Sequence, residues 1–174
     1  MSLNPAPVMN KITEHCQNHK GYSAKKVLRL IKDIKNVALN DDERDFLKSY
    51  NVKQAMMWCL DKNPQINSET NLLMSTLHKI QEFYQQGTLP SFLEPQRNLI
   101  YKMTKQGRSG IASTKIVEIM NNVSNYMDQI EDVQSVNKFG ISEVRNNLGL
   151  MAYPLQLPIV LNKYSRDCGW PRRP

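Results

Sequence analysis

The sequence predicts an all-α protein, a multi-helix bundle with no substantial sheet. Three observations carry that prediction. Apolar residues recur at spacings of three and four in several segments, helix caps and stops bracket those segments, and no alternating strand pattern persists for more than a few residues. A length of 174 residues with 40% hydrophobic and 22% charged residues suits one domain with a buried core, neither disordered nor fibrous.

Residues 1–22 read as an N-terminal tail with a short, weakly patterned helix between Met9 and His19, ended by Gly21. Ser23 is the expected N-cap of a helix over 24–38, in which Val27, Leu30, Ile31, Ile34, Val37 and Ala38 form one buried stripe. Lys25, Arg29 and Lys32 share its opposite side at i, i+4 and i+7. Asp41 or Asp42 is expected to cap a helix running continuously over 42–61, with acids near its positive end. From Val52 to Leu60 this helix is apolar nearly all round, which predicts the middle of the domain and places Trp58, Leu60, Leu77 and Ile80 among the most buried side chains. Asn63-Pro64 turns the chain. Ser68 opens a helix over 68–86, with Leu73, Leu77, Ile80 and Tyr84 as its stripe and Gly87 as its stop. The rigid segment Leu89–Pro95 leads to a short helix over 96–105, and a Gly-containing loop precedes an amphipathic helix over 113–135 with Ile116, Met120, Val123, Met127 and Ile130 on one face. The domain reading is therefore a helical lobe over 23–136 followed by an irregular tail over 137–174, where Pro154, Pro158 and Pro171 interrupt the pattern.

The net charge is +7, and its placement is more informative than its size. Residues 1–39 hold seven Lys/Arg against two acids and residues 163–174 hold four against one, while the stretch between is close to neutral. A polyanion partner fits the basic N-terminal region. Three widely spaced cysteines, Cys16, Cys59 and Cys168, form no disulfide framework, and MSLNPAPVMNK contains no secretory h-region. No apolar run is long enough to span a membrane. The expected compartment is the cytoplasm or nucleus.

The common phosphate-binding glycine loops are absent, and the three histidines offer no framework for a hydrolytic triad. His15-Cys16-x-x-His19 provides three ligand-type residues where a structural zinc site needs four, so no metal site is expected. Two constellations remain. Lys20, Lys25, Lys26 and Arg29 form a basic face suited to nucleic acid, or to plain solvation. Ser49-Tyr50-Asn51-Val52-Lys53, placed mid-helix, offers a hydroxyl, an aromatic ring and a cation, with Ser49 and Lys53 on one face.

Three segments in order carry a resemblance: Lys26-Val27-Leu28-Arg29-Leu30-Ile31-Lys32, then Phe46-Leu47-Lys48-Ser49-Tyr50-Asn51-Val52-Lys53, then Leu89-Pro90-Ser91-Phe92-Leu93-Glu94-Pro95-Gln96-Arg97-Asn98-Leu99. Together, over about residues 20–105, they resemble the C-terminal helical lobe (HhH/H2TH-like) of the male-abnormal / cyclic GMP-AMP synthase-like nucleotidyltransferase family. The resemblance implies a nucleotide site at Lys32, Ser49, Tyr50 and Lys53, with the tyrosine stacking on a base; Asn51 stands where the family has histidine. The family's strand-rich lobe, with Gly-Ser and paired Mg²⁺-binding carboxylates, has no counterpart in this sequence, nor does the cysteine cluster of the vertebrate DNA sensor. No cofactor is therefore expected in this chain and no catalytic residue is assigned; Mg²⁺ would enter only with a catalytic lobe.

Three functions follow. The favoured one is a non-catalytic binding or interaction module, open to a protein partner; the missing catalytic lobe and the extra amphipathic helix over 113–135 favour it. The alternatives are the nucleotide-binding half of a second-messenger synthase, and a basic helical nucleic-acid-binding domain.

Overall fold

The computed structural model describes residues 22–135, together with positions 6–8, 10–11 and 14 of a helix ahead of them; side-chain surroundings are described up to Asn125. Helices dominate. The described residues contain no strand, only an isolated antiparallel bridge between Pro90 and Asn98.

Helix α1 spans Ala24–Ala38, as the spacing predicts, and the Ser23 side chain accepts the Lys26 amide at its start. Val27, Leu30, Ile31, Ile34 and Ala38 are buried along one stripe. The Ser23 amide in turn donates to the Glu69 carboxylate at 3.0 Å, tying the start of α1 to the start of another helix.

The expected continuous helix over 42–61 is two elements. A 3₁₀ helix, η1, covers Asp41–Leu47, and α2 covers Ser49–Lys62. The cap of η1 is Asn40, one residue ahead of the expected aspartates, in a reciprocal capping box with Glu43. Lys48 is extended between the two elements and breaks the hydrogen-bond ladder. Two carbonyls that would continue it are taken elsewhere: that of Phe46 by the Tyr84 hydroxyl and that of Asp45 by the Lys48 amide.

Helix α3 spans Glu69–Gln86, from the Ser68 N-cap to Gly87, whose left-handed φ of 69° ends it. It is the centre of the bundle, packing against α1, α2 and the long C-terminal helix, so the middle position expected for residues 52–60 belongs to α3. Leu72, Leu73, Leu77, Ile80 and Tyr84 are fully buried on it. Helix α2 contributes Val52, Ala55, Met56, Met57 and Cys59 to the same core. Leu77 and Ile80 are buried as expected, whereas Trp58 and Leu60 are only partly so. Trp58 stays near the surface because its indole N–H needs an acceptor, and finds one in the Pro90 carbonyl at 2.9 Å while the ring meets Phe92 edge-on.

The helix expected over 96–105 is shorter: α4 spans Tyr101–Lys105. The Asn98 side chain explains this. Its oxygen accepts the amides of Leu89 and Ile100, both at 3.0 Å, and its amide reaches the Gly87 carbonyl, so residues 96–100 are held as a turn instead of a helix. Helix α5, Ser109–Ser135, begins four residues before the expected start and lies along α3 through Ala112, Ile116, Ile119 and Val123. Met120 is only partly buried, and the side chains of Met127 and Ile130 lie beyond the described surroundings. The expected tail over 137–174 and most of the N-terminal tail lie outside the described residues.

Candidate functional site

A cleft of about 500 Å³ opens where the basic side of α1 meets the start of α2. Lys25, Arg29 and Lys32, the i, i+4, i+7 stripe, form one wall and are all exposed. Ser49 and Lys53, four residues apart on the first turns of α2, form the other. Leu28, Ile31, Leu47 and Val52 supply an apolar lining between the walls, with Ile31, Leu47 and Val52 at most 3% exposed. Ala6, Asn10 and Glu14 of the N-terminal helix complete the lining.

Four cations thus surround one cavity, and none of Lys25, Arg29, Lys32 or Lys53 is ion-paired among the described residues. Elsewhere lysines and arginines are paired, as in Lys79–Glu82 at 2.7 Å and Lys115–Glu118 at 3.2 Å. The break at Lys48 adds a further positive feature. Ser49 is the first residue of α2 instead of a mid-helix position, and no side chain caps that start. The first-turn amides therefore have no helical acceptor, and an anion at a helix start gains from them and from the helix dipole. The cleft can accept phosphate groups from two walls, with an apolar lining for a non-polar moiety.

The structure brings together Lys32, Ser49 and Lys53 of the sequence-implied nucleotide set, and Lys25 and Arg29 of the nucleic-acid set. It does not bring Tyr50 and Lys26 to the lining; both are half-buried and are turned about 100° from Ser49 and Lys25 by the helical pitch. Lys20, His15, Cys16, His19 and Cys168 lie outside the described residues. Sequence reasoning missed Leu28 and Leu47 as lining, and also Ala6, Asn10 and Glu14. The last three had one usable signal: their spacing of four puts them on a single helical stripe.

Two buried groups outside the cleft are chemically quiet. Burial pushes the Cys59 thiol up to about 12, so it stays protonated and unreactive near neutrality. Burial likewise raises Tyr84, whose hydroxyl serves Phe46 as a donor. Among the described residues no group of three or more His, Cys, Asp or Glu side chains is placed to hold a metal ion, and Glu14 is the only carboxylate lining the cleft. These residues do not fit a two-Mg²⁺ centre. No described helix is long and apolar enough to cross a membrane.

The family model for the Mab-21 protein HhH/H2TH-like domain covers residues 23–118, from the cap of α1 into α5. No solved structure matches the chain.

Proposed function

Because this chain belongs to the Mab-21 family through its HhH/H2TH-like domain, we propose that it is a binding module that takes a nucleotide phosphate chain into the α1–α2 cleft, without performing phosphoryl transfer on its own residues. One observation carries the reading: Lys25, Arg29, Lys32, Ser49 and Lys53, which come from two helices, converge on one cavity, and among the described residues no carboxylate is paired to the cations. Its volume lies in the range of small-molecule sites. A triphosphate carries the complementary charge, and the Ser49 hydroxyl and adjoining amides add donors to the cations.

The cleft is open, so each charge pair is screened and contributes about 0.2–1 kcal/mol. Four such contacts contribute about 0.8–4 kcal/mol together, so the affinity is about millimolar at its tightest. Titration of ATP, GTP and inorganic triphosphate, followed by backbone amide shifts, tests the proposal. Lys32, Ser49 and Lys53 should shift together and saturate, and the pair Lys32→Glu with Lys53→Glu should abolish the response. Unmoved amides at these positions with millimolar triphosphate would remove the nucleotide reading.

A second reading is supported by the exposed stripe of Lys25, Arg29 and Lys32 on α1, which has no ion pair among the described residues. Such a stripe suits a nucleic-acid backbone, bound without sequence preference and with steep salt dependence. The cleft favours the nucleotide, because two of its polar side chains come from α2 and line a concavity instead of a face.

A further inference from the structure

The α2 wall of the cleft depends on where η1 sits. A seven-residue 3₁₀ helix is longer than most and has poor internal hydrogen-bond geometry, so its position is set by what holds it from outside. Two polar ties do so. The Tyr84 hydroxyl of α3 donates to the Phe46 carbonyl. Arg108, at the start of α5, places its fork on Asp45, with Nη1 to Oδ2 at 3.0 Å and Nη2 to Oδ1 at 3.1 Å. The same Nη2 reaches the Asp42 carbonyl, and the guanidinium lies over the Phe46 ring at 5.2 Å from its centroid.

Asp45 is the hinge point of this arrangement. Its carboxylate holds Arg108, and its carbonyl accepts the amide of Lys48, the single extended residue before Ser49. Arg108 is itself fixed by backbone: its amide donates to Met103 at 3.0 Å and its carbonyl accepts the Ala112 amide at 2.9 Å. Helix α5 lies against α3. The start of α2 is thereby referenced to the α3–α5 core by a residue 63 positions away in sequence that does not line the cleft. A planar two-bond fork fixes direction as well as distance, which a lysine cannot reproduce.

We infer that Arg108 is a positioning residue for the cleft: its fork on Asp45 fixes Ser49 and Lys53 opposite Lys25, Arg29 and Lys32, and so sets how well the cleft holds phosphate. The inference rests on the phosphate-binding reading, and its test separates the two. Arg108→Lys keeps the charge but loses the fork, and Asp45→Asn removes the acceptor charge. Each is compared with the native chain by thermal melting, by ligand-free amide hydrogen exchange, and by inorganic triphosphate titration well below the melting temperature.

The expected result for Arg108→Lys is about five-fold weaker triphosphate binding, the scale of one partly exposed charged contact. Amide exchange should speed up by a similar factor at Lys48 and Val52, whose amides are hydrogen-bonded across the break, and stay unchanged at 72–80. The swap Arg108→Asp with Asp45→Arg should recover part of both. A lower melting temperature with unchanged affinity and unchanged exchange at Lys48 and Val52 would reduce Arg108 to a stability contact and overturn the inference. If native protein binds no triphosphate, the nucleotide reading falls. Exchange then still decides the positioning role: acceleration confined to Lys48 and Val52 upholds it, and a uniform or absent change refutes it.

Discussion

Replacing Tyr84 by phenylalanine deletes one oxygen from the middle of the bundle. The side chain is fully buried, and its hydroxyl donates to the Phe46 carbonyl at 2.5 Å, with the buried Asn51 side chain next to it. Phenylalanine keeps the ring, so little packing is lost. The cost comes from the groups left behind. The Phe46 carbonyl cannot return to the helix ladder without moving η1, and it is left beside Asn51, itself only 5% exposed. Each buried unsatisfied group costs about 1–3 kcal/mol, and partial relaxation makes about 2 kcal/mol the expected total. For a domain of this size that is a fall in melting temperature of roughly 10 °C. Urea unfolding followed by circular dichroism should show a lower midpoint with an unchanged slope. Asn51→Ala alone should cost a similar amount, and the double variant should cost clearly less than the two singles added, because one network is being broken twice. A loss below about 0.5 kcal/mol, or full additivity, would mean that the Tyr84 hydroxyl does not hold η1 and that the break at Lys48 has another cause.

Alkaline pH should destabilise the fold through Cys59, whose ordinary 9.0 is raised to about 12 by burial. Above pH 9 the unfolded chain releases the thiol proton while the folded chain keeps it, so stability falls as pH rises; the loss is roughly 2 kcal/mol at pH 10.5, and Cys59→Ala should flatten that slope in pH-dependent urea titrations. Tyr84 adds a decline of the same sign at higher pH. Gly87→Ala should cost about 1–2 kcal/mol by thermal melting, because φ is 69° there and the new methyl would meet Thr104 Cγ2 at 3.0 Å. If the α1 stripe binds nucleic acid, Lys25→Glu with Arg29→Glu should weaken association uniformly across sequences and flatten its salt dependence in fluorescence anisotropy; binding indifferent to salt would exclude that mode.

The helices bounded by local chemistry were legible before any coordinates. Ser23 with the Val27–Ala38 stripe placed α1 correctly, and Ser68 with Gly87 placed α3, because a cap and a stop act within one turn of themselves. The misread boundaries are those decided by distant partners. Nothing local in residues 41–62 ends a helix, and the break depends on Tyr84, 38 residues beyond Phe46. The expected helix from 96 is shortened by Asn98 bonding back to Gly87 and Leu89. Side-chain periodicity likewise grouped Lys25, Arg29 and Lys32, and Ser49 with Lys53, since each set shares a helix face. It could not show that the two faces oppose each other, or that the stripe of Ala6, Asn10 and Glu14 joins them.

The misread break bears directly on the site. In a continuous helix the amides of Ser49, Tyr50 and Asn51 would be bonded to the carbonyls of residues 45, 46 and 47. The cleft would then offer an anion only side chains: three cations on α1, with a serine and a lysine on α2. In the observed fold the Asp45 carbonyl is used by Lys48 and the Phe46 carbonyl by Tyr84, and the helix restarts at Ser49 without a capping side chain. Ser49, which lines the cleft, then keeps an amide without a helical acceptor, with the positive end of a 14-residue helix behind it. The polar ties that hold η1 against α3 and α5 thus have a consequence beyond stability. They create a helix start where the sequence pattern alone would run through, and they do so beside four cations that have no ion-pair partner among the described residues.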